Sequence, residues 1–260
     1  MGLVEVEGGT VAGVLLSRSE QRNAMSLAML EELAAAFGSL AVDPEVRVIV
    51  LSGRGPDFCA GADLADVTIT SAERDYGRTF EQAVQAVLTT PCPVISMIQG
   101  AALGAGCQIA VACDLAVAAE DARLGIPSGR LGLLINFENI QRLVLAVGPK
   151  RAGEILFTAR SLSGIEAASW GLVNRAVPAR ELEARTLELA EAIARLAPLS
   201  IRGSKRGIGA VLGKTSIDRF TEGHRVADFD MMYAEAFASE DLREGIKAFR
   251  ERREPRFEGR

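Results

Sequence analysis

The chain has 260 residues, 48% of them hydrophobic, and a formal net charge of −5. These values allow one large domain or a core with a smaller appendage, and the negative charge argues against nucleic acid as the main partner. The first residues, MGLVEVEGG, contain no basic stretch followed by an apolar one, so we expect a cytoplasmic protein without a secretory signal.

The first part of the chain predicts strands that alternate with single helices. Residues 10–17 and 46–52 are rich in β-branched side chains and predict two strands. Between them, Ser26 is a suitable N-cap for a helix that continues through Phe37. The loop GRGPDFCAGADL follows the second strand and leads to a helix over about residues 72–88.

The middle of the chain contains the small-residue run GAALGAGCQIAVACD between two predicted buried strands, residues 94–98 and 115–119. Residues 93–113 carry no charge and are about long enough to span a membrane. However, Gln99 and Gln108 interrupt this stretch and no basic cluster flanks it, which favours a buried strand followed by a buried helix. The alternation of strands with single helices predicts an α/β fold with a mostly parallel sheet.

The last part of the chain is predominantly helical. Ser163 and Glu166 predict a capping box at a helix start, and residues 172–177 predict a short strand. We predict a β/α core over residues 1–195 and a helical region over residues 196–260 that serves as a lid or an assembly element. The apolar positions of that region predict self-association. They are Ile208, Val211, Leu212, Phe229, Met231 and Met232.

Four cysteines and one histidine limit the available chemistry. The cysteines form no CxxC pair, so we predict neither a metal site nor a disulfide framework, but four buried thiols. These cysteines are Cys59, Cys92, Cys107 and Cys113. His224 lies in a charged, helix-like stretch, and a Ser-His or Cys-His mechanism would depend on it alone. We therefore disfavour that class of mechanism.

Two segments, DFCAGADL and QGAALGAGCQ, share one design. Each follows a strand, leads to a helix and places small residues where backbone N–H groups are unpaired. Such groups can stabilise negative charge that develops on a substrate oxygen. Two alternatives remain open, namely helix–strand packing and a dinucleotide fingerprint. The second is matched only in part, because Ile109 stands where the third glycine belongs.

Over nearly its whole length the sequence resembles the crotonase superfamily, the enoyl-CoA hydratases and isomerases. The matching segments are QRNAMS, VIVLSGRGPDFCAGADL, PVISMIQGAALGAGCQIAVACDLAVAAEDARLGIP, ASWGLVNRAVP and FASEDLREGIKAFRERREPRF. The resemblance implies a ββα core wound into a spiral, with C-terminal helices that assemble trimers, often paired into hexamers. It also implies an acyl-CoA thioester substrate. Coenzyme A then enters as part of the substrate, and we expect no separate cofactor and no nucleic-acid or membrane partner.

The resemblance implies an oxyanion hole made by the backbone N–H groups of Ala62 and Ala105. Relatives commonly have glycine at the second position, and alanine keeps the amide while adding one methyl group. The residues that match CoA-binding positions of relatives are Gln21, Arg22, Ala24, Ala60, Asp63, Leu64, Tyr233 and Arg252. For Tyr233 and Arg252, an ordinary helix aromatic and a solvated charge are equally good interpretations.

Both catalytic glutamates of the family's hydratases are absent from this chain. In those enzymes one lies three residues after the second oxyanion donor, and the other follows the proline of an LGIP-like segment. Here these positions hold Gln108 and Ser128, and neither side chain can act as a general base at neutral pH. A two-glutamate hydratase is therefore disfavoured.

The next segment, GLLINFENIQRL, replaces a glycine-rich stretch of the hydratases. Asn136 matches the position where dienoyl-CoA isomerases and chlorobenzoyl-CoA dehalogenases carry a catalytic aspartate. Glu138 is either a lone acid–base carboxylate that faces the acyl pocket or a first-turn glutamate favoured by the helix dipole. Asp66 and Glu73 are less favoured acid–base candidates.

Three functions are compatible with these residues. The first is an enzyme that forms an oxyanion-stabilised enolate of an acyl-CoA, as an isomerase or an atypical hydratase or lyase. The second is a catalytically silent paralogue that binds acyl-CoA. The third, an assembly protein that kept only the fold, is disfavoured because both oxyanion segments are intact.

Overall fold

The computed structural model describes residues 2–67, 71–211 and 227–260, with the side chains of these ranges apart from residues 71–75 and 227–230. The strands in these ranges are β1 (Val4–Glu7), β2 (Val11–Leu16), β3 (Val48–Gly53), β4 (Val94–Ile98), β5 (Ala101–Leu103), β6 (Leu115–Ala119), β7 (Arg123–Gly125), β8 (Leu162–Ser163) and β9 (Arg175–Val177). The α-helices are α1 (Leu27–Ala41), α2 (Ser71–Thr89), α3 (Ala105–Ala112), α4 (Phe137–Val147), α5 (Pro149–Thr158), α6 (Gly164–Trp170), α7 (Leu182–Ala194), α8 (Pro198–Val211), α9 (Ala227–Ala238) and α10 (Glu240–Glu251).

A six-stranded sheet in the order β1-β2-β3-β4-β6-β9 forms the centre of the fold. Strand β1 is antiparallel to β2, and every other neighbouring pair in this sheet is parallel. Its inner strands β3, β4 and β6 are mostly apolar, and in β3 only Ser52 is not fully buried. Parallel sheets are covered on both faces, which explains continuous apolar runs in place of an alternating pattern. The predicted α/β class and mostly parallel sheet are confirmed.

A second sheet, in the order β5-β7-β8, lies beside the first. The consecutive strands β4 and β5 belong to different sheets and are followed by α3, which makes a ββα unit. Residues 93–113 therefore form buried strands and a buried helix, as predicted, with β5 as an additional element. In the described ranges, no helix is long and apolar enough to cross a membrane.

The predicted helix caps are confirmed, whereas some element lengths differ from prediction. The Ser26 side chain caps α1, and Ser163 and Glu166 form both hydrogen bonds of a capping box, at 3.1 and 2.9 Å. Helix α1 continues four residues beyond the predicted end. Strand β9 begins later than residue 172, because the Leu172 N–H bonds back to the Ala167 carbonyl and closes α6.

The four cysteines are buried free thiols, as predicted. Burial raises the pKa of the Cys59 and Cys107 thiols to about 12, so neither is a nucleophile at neutral pH. His224 and two of the predicted self-association residues, Leu212 and Phe229, fall outside the described side chains.

The C-terminal helices are tied to the core by polar contacts. Lys205 Nζ lies 2.7 Å from a carboxylate oxygen of Asp114. Arg47 donates to the backbone carbonyls of Ala194 and Phe257 at 3.2 and 2.8 Å. The predicted division at residues 195 and 196 stays a prediction.

Candidate active site

The two small-residue segments lie side by side. The Cys59 N–H donates to the Ala101 carbonyl at 2.8 Å, and the Leu103 N–H donates to the Cys59 carbonyl at 3.0 Å. Gly106, in the first turn of α3, packs closely against Cys59, which makes these two hydrogen bonds. A β-carbon there would lie 2.5 Å from the Cys59 carbonyl oxygen, closer than real β-carbons approach. Glycine at this position therefore lets the start of α3 reach the neighbouring loop.

The residues just before the two predicted oxyanion donors are glycines with positive φ. Gly61 has φ 125° and Gly104 has φ 53°. A β-carbon on Gly104 would lie 3.8 Å from the Gly61 Cα, so the two turns are direct neighbours. The residues that follow them, Ala62 and Ala105, line the same cavity.

The N–H groups of Ala62 and Ala105 are available for a ligand. Ala62 forms a parallel bridge with Met25, whose N–H bonds to the Gly61 carbonyl and whose carbonyl accepts from the Asp63 N–H. In this pattern the N–H of Ala62 points away from Met25. Ala105 is the first residue of α3, so its N–H has no intrahelical acceptor. Within the described part of the chain, neither N–H donates to a protein acceptor.

Asp57 fixes the spacing between these two segments. Its Oδ1 accepts the Ala101 N–H at 2.7 Å, and its Oδ2 accepts Arg22 Nε at 2.7 Å. The hydrogen bond from Arg22, supported by that from Ala101 and the charge of Arg22, holds the pKa of Asp57 below its ordinary value although burial opposes the change. Asp57 is therefore a structural carboxylate that is ionised at neutral pH.

The cavity has a volume of about 340 Å³ and is mainly apolar. Its apolar walls include Leu64, Val67, Phe80, Ile126, Leu133 and Ile135. Its polar side chains are Tyr76, Gln108, Ser128, Asn136 and Asn139. Among the side chains that the structure describes, no aspartate, glutamate, lysine, arginine or histidine lines this cavity.

The structure brings Gln108 and Ser128, which the resemblance matches to the two hydratase glutamates, into one cavity. Gln108 is 9% exposed, and in the described ranges its carboxamide has no hydrogen-bond partner. Ser128 lies in the short 3₁₀ turn Pro127–Leu131. Both side chains can hold a water molecule or a substrate oxygen, but neither can accept a proton as a general base at neutral pH.

Tyr76 is a cavity residue that sequence analysis missed. Its hydroxyl donates to the Met25 carbonyl at 3.0 Å. Burial, with smaller contributions from Cys59 and nearby carboxylates, raises the pKa of this phenol. Tyr76 therefore remains a neutral hydrogen-bonding group and supports the Met25–Ala62 bridge from the other side.

The structure does not bring the predicted acid–base carboxylates to the described cavity lining. Glu138 is in the first turn of α4, between Asn136 and Asn139, which do line the cavity. Residues three apart share a helix face, and Glu138 is turned about 100° from Asn139. Asp66 accepts the Leu27 N–H at 2.8 Å and supports the start of α1, and the side chain of Glu73 falls outside the described residues. The acid–base role of Glu138 stays a prediction that this geometry does not support.

A closed ring of hydrogen bonds lies behind one wall of the cavity. Arg142 donates to Asn139 Oδ1 at 2.6 Å, and Asn139 Nδ2 donates to Asn136 Oδ1 at 2.5 Å. Asn136 Nδ2 donates to Glu81 Oε2 at 3.2 Å, and Arg142 Nη2 donates to Glu81 Oε1 at 2.5 Å. Burial alone would raise the pKa of Glu81, but hydrogen bonds from Arg142 and Gln85 outweigh it and lower that pKa. Glu81 is therefore an ionised partner of Arg142.

The residues predicted to contact CoA on the first loops lie close together. The Ala60 N–H donates to the Arg22 carbonyl at 2.9 Å, next to Gln21. Arg18 donates to the Ala24 carbonyl at 2.9 Å and to Asp63 Oδ2 at 2.6 Å. The Arg18 hydrogen bond is the main cause of the lowered pKa of Asp63. These contacts join residues 18–25 to the loop that carries Ala62.

The other predicted CoA residues are divided between two places. Ala60 and Leu64 line the cavity. Tyr233 is 56% exposed and packs against Phe237, with ring centroids 4.5 Å apart, while Arg252 is the C-cap of α10. Neither Tyr233 nor Arg252 belongs to the described cavity lining.

Comparisons with known proteins agree with this architecture. The family model "Enoyl-CoA hydratase/isomerase" matches residues 7–260. A Thermus thermophilus protein provisionally named as an enoyl-CoA hydratase is 40% identical and covers 98% of this chain and 100% of its own length. The human mitochondrial enoyl-CoA hydratase domain-containing protein 2 is 37% identical, over 96% of this chain and 86% of its own.

Solved structures of similar proteins share the whole fold. An enoyl-CoA hydratase/carnithine racemase from Magnetospirillum magneticum superposes with a TM-score of 0.91 at 29% identity, over 100% of this chain and 97% of its own. An enoyl-CoA hydratase from Bacillus anthracis superposes with a TM-score of 0.88 at 32% identity, over 99% of this chain and 100% of its own.

Proposed function

Because the chain belongs to the enoyl-CoA hydratase/isomerase family, we propose that it acts on acyl-CoA thioesters by stabilising an enolate oxyanion. One observation carries this proposal: Ala62 and Ala105, whose N–H groups are unpaired in the described ranges, line a single apolar cavity. When a base takes a proton from the carbon next to the thioester carbonyl, the C–H electron pair passes into the enolate and negative charge accumulates on the carbonyl oxygen. Because the described lining holds no carboxylate, that base is water or a group outside the described side chains. Each N–H donor directed at that oxygen is worth about 3 kcal/mol in the transition state.

The finer reaction that we propose is isomerase-like or atypical, and not two-glutamate hydration. Gln108 and Ser128 stand at the positions of the missing glutamates and can orient water or a substrate group. In this proposal backbone N–H groups stabilise the enolate. These groups do not titrate, so the presence of Gln108 and Ser128 in place of glutamates leaves their effect unchanged. In this scheme the loop that carries Ala62 and the start of α3 bind the thioester carbonyl. The CoA moiety lies along that loop and residues 18–25.

A second candidate is an acyl-CoA-binding protein without turnover. It is favoured by the absence of any carboxylate from the described cavity lining. Proton exchange distinguishes the two functions. Incubation with a panel of saturated acyl-CoA and enoyl-CoA thioesters in deuterated water, followed by mass spectrometry, should show deuterium next to the carbonyl if the chain is catalytic. Binding without exchange across the panel would establish the silent alternative.

Thioester recognition has its own test. Calorimetry should show that an acyl-CoA binds much more tightly than its free carboxylic acid, because the acid lacks both the CoA moiety and the neutral thioester carbonyl. Equal affinities for the two compounds would contradict the proposal.

We also propose that the protein forms a trimer or a hexamer. The helical tail exposes large apolar side chains, with Ile208 at 59%, Val211 at 81% and Met231 at 73%. Exposed apolar side chains, where they form a contiguous patch, are typical of protein–protein contacts. Tyr233 and Arg252 lie in the same region and could then approach the CoA of their own or a neighbouring subunit.

A further inference from the structure

We infer that the carboxamides of Asn136 and Asn139 form a hydrogen-bond donor subsite for an oxygen atom carried by the acyl chain of the substrate. This oxygen is neutral, a hydroxyl or carbonyl group, and is additional to the thioester carbonyl. The inference rests on the proposed function and adds the substrate class to it.

The orientation of both carboxamides is fixed by the chemistry of their partners. Arg142 has only donors, so the atom of Asn139 that faces it must be the amide oxygen. Asn139 then presents its NH₂ group to Asn136, whose oxygen also accepts the Asn139 backbone N–H as the helix N-cap, at 3.0 Å. The NH₂ group of Asn136 consequently faces Glu81, a carboxylate that can only accept. Two hydrogen-bond paths thus lead from Arg142 to Glu81, one direct and one through Asn139 and Asn136.

Each carboxamide keeps one N–H that the ring does not use. An amide NH₂ group has two donors, and Asn136 and Asn139 each donate once within the ring. Both residues line the cavity that contains the Ala62 and Ala105 N–H groups. Two further donors are therefore held beside the acyl-binding space by a rigid support.

The surroundings of this subsite favour a neutral oxygen. Arg142 and Glu81 form an ion pair at 2.5 Å, and Arg142 is 7% exposed, so their charges compensate each other behind the cavity wall. The described lining offers no charged side chain to a charged acyl group. Burial of an uncompensated carboxylate or ammonium in such a cavity would be strongly unfavourable.

Gln108 provides an independent reason to expect a polar acyl group. Its carboxamide is in the same cavity, is only 9% exposed and has no partner in the described part of the chain. A purely hydrocarbon chain that filled the cavity would displace water and leave this amide unpaired as well. Sites with buried hydrogen-bonding groups discriminate against ligands that lack a matching atom.

Glu81 and Arg142 act as positioning residues in this scheme. They do not line the cavity, but they fix the rotamers of the two asparagines through the ring. Their loss should loosen selectivity for the acyl oxygen without removing the binding of CoA thioesters.

The test compares matched ligands in the same protein. Calorimetry would measure the dissociation constants of butyryl-CoA and hexanoyl-CoA, and of their derivatives with a hydroxyl or keto group at successive carbons beyond the thioester. We expect at least one oxygenated ligand to bind the wild type about tenfold more tightly than its parent, the gain from about 1.4 kcal/mol of net hydrogen bonding.

Two variants assign that preference to the subsite. Asn139→Leu removes the Asn139 carboxamide. Asn136→Ser removes the NH₂ group of Asn136 but retains a good helix N-cap. Both should lose the tenfold preference, whatever their effect on the affinity for the parent ligand. Gln141→Leu is the matched control, because it removes a carboxamide from the same helix outside the cavity lining, and it should keep the preference. Glu81→Gln should reduce the preference for the oxygenated ligand.

The ratio of two dissociation constants in one variant is insensitive to a reduced folded fraction, so partial destabilisation does not obscure the result. If no CoA thioester binds the wild type, the proposed function fails and the subsite fails with it. If thioesters bind but oxygenated and parent ligands have equal affinity, only the subsite is overturned. The subsite is also overturned if folded Asn136→Ser and folded Asn139→Leu both still prefer the oxygenated ligand tenfold.

Discussion

Replacement of Ala105 by proline removes one hydrogen-bond donor from the cavity and puts a ring methylene in place of the N–H hydrogen. Ala105 is the first residue of α3, where proline is tolerated because the N–H has no intrahelical acceptor. The preceding residue, Gly104, has φ 53° and retains the freedom of glycine. We expect the free energy of unfolding to change by no more than about 1 kcal/mol in either direction, measured by urea denaturation.

The effect on the reaction should be far larger than the effect on stability. Loss of one oxyanion donor lowers turnover by about 10²–10³, equivalent to about 2.7–4 kcal/mol. Affinity for an acyl-CoA should fall much less, because the full charge is present only in the transition state and not in the bound thioester. The assay is deuterium incorporation next to the carbonyl, followed by mass spectrometry with the best ligand of the panel.

Ala105→Gly is the matched control, since it keeps the N–H and should retain exchange within about threefold, far from the loss that removal of a donor causes. A folded Ala105→Pro protein that exchanges protons as fast as the wild type would refute the assignment of this N–H to the oxyanion hole.

Four further predictions follow from the site and the fold. Hydration of crotonyl-CoA by the wild type should be slow, and Gln108→Glu combined with Ser128→Glu should raise it about a hundredfold or more; rapid wild-type hydration that Gln108→Ala leaves unchanged would show that another group activates water. Glu138→Gln should change deuterium exchange by less than about threefold, because the side chain lies outside the described cavity lining, whereas a hundredfold loss would establish Glu138 as the proton shuttle. Glu81 has a lowered folded-state pKa, so its stabilising contribution should be complete above its ordinary value of 4.5 and lost as the pH falls through the folded value. Denaturation of wild type and Glu81→Gln should therefore differ most near neutral pH, and a difference that stays constant in acid would be inconsistent with this ion pair. Light scattering at micromolar concentration should report a trimer or a hexamer, and a monomer would count against the proposed assembly.

Much of the fold could be predicted because its elements have local signals. Ser26 and Ser163 were identified as caps, β-branched runs located β2 and β3, and short uncharged runs beside the small-residue segment located β4 and β6. Strand β1 was missed, and so were the short strands β5, β7 and β8, since two or three residues give no periodicity. The end of α1 was set too early because its apolar face continues to the buried Leu40.

The site residues, like the elements of the fold, could be predicted where the sequence signal is local and not where it depends on long-range contacts. Ala62, Ala105, Gln108 and Ser128 were identified through the resemblance to the crotonase superfamily, which short motifs carry, and the fold brings them to one cavity.

The hydrogen-bond ring could not be found locally, because Glu81 and Arg142 are 61 residues apart and meet only in the folded chain, where their side chains join α2 to α4. One signal was available in the sequence. Asn136, Asn139 and Arg142 recur every three residues, which places them on one helix face and leaves Glu138 on another.

The most direct measurement is the infrared stretching frequency of a ¹³C-labelled thioester carbonyl bound to the protein. It reports on the two N–H donors whether or not turnover occurs. We predict a lower frequency in the complex than in water, because two fixed donors polarise the carbonyl more strongly than mobile solvent does, and a partial return in Ala105→Pro. A bound carbonyl with the frequency of the free ligand, unchanged in Ala105→Pro, would contradict the proposed oxyanion hole of Ala62 and Ala105.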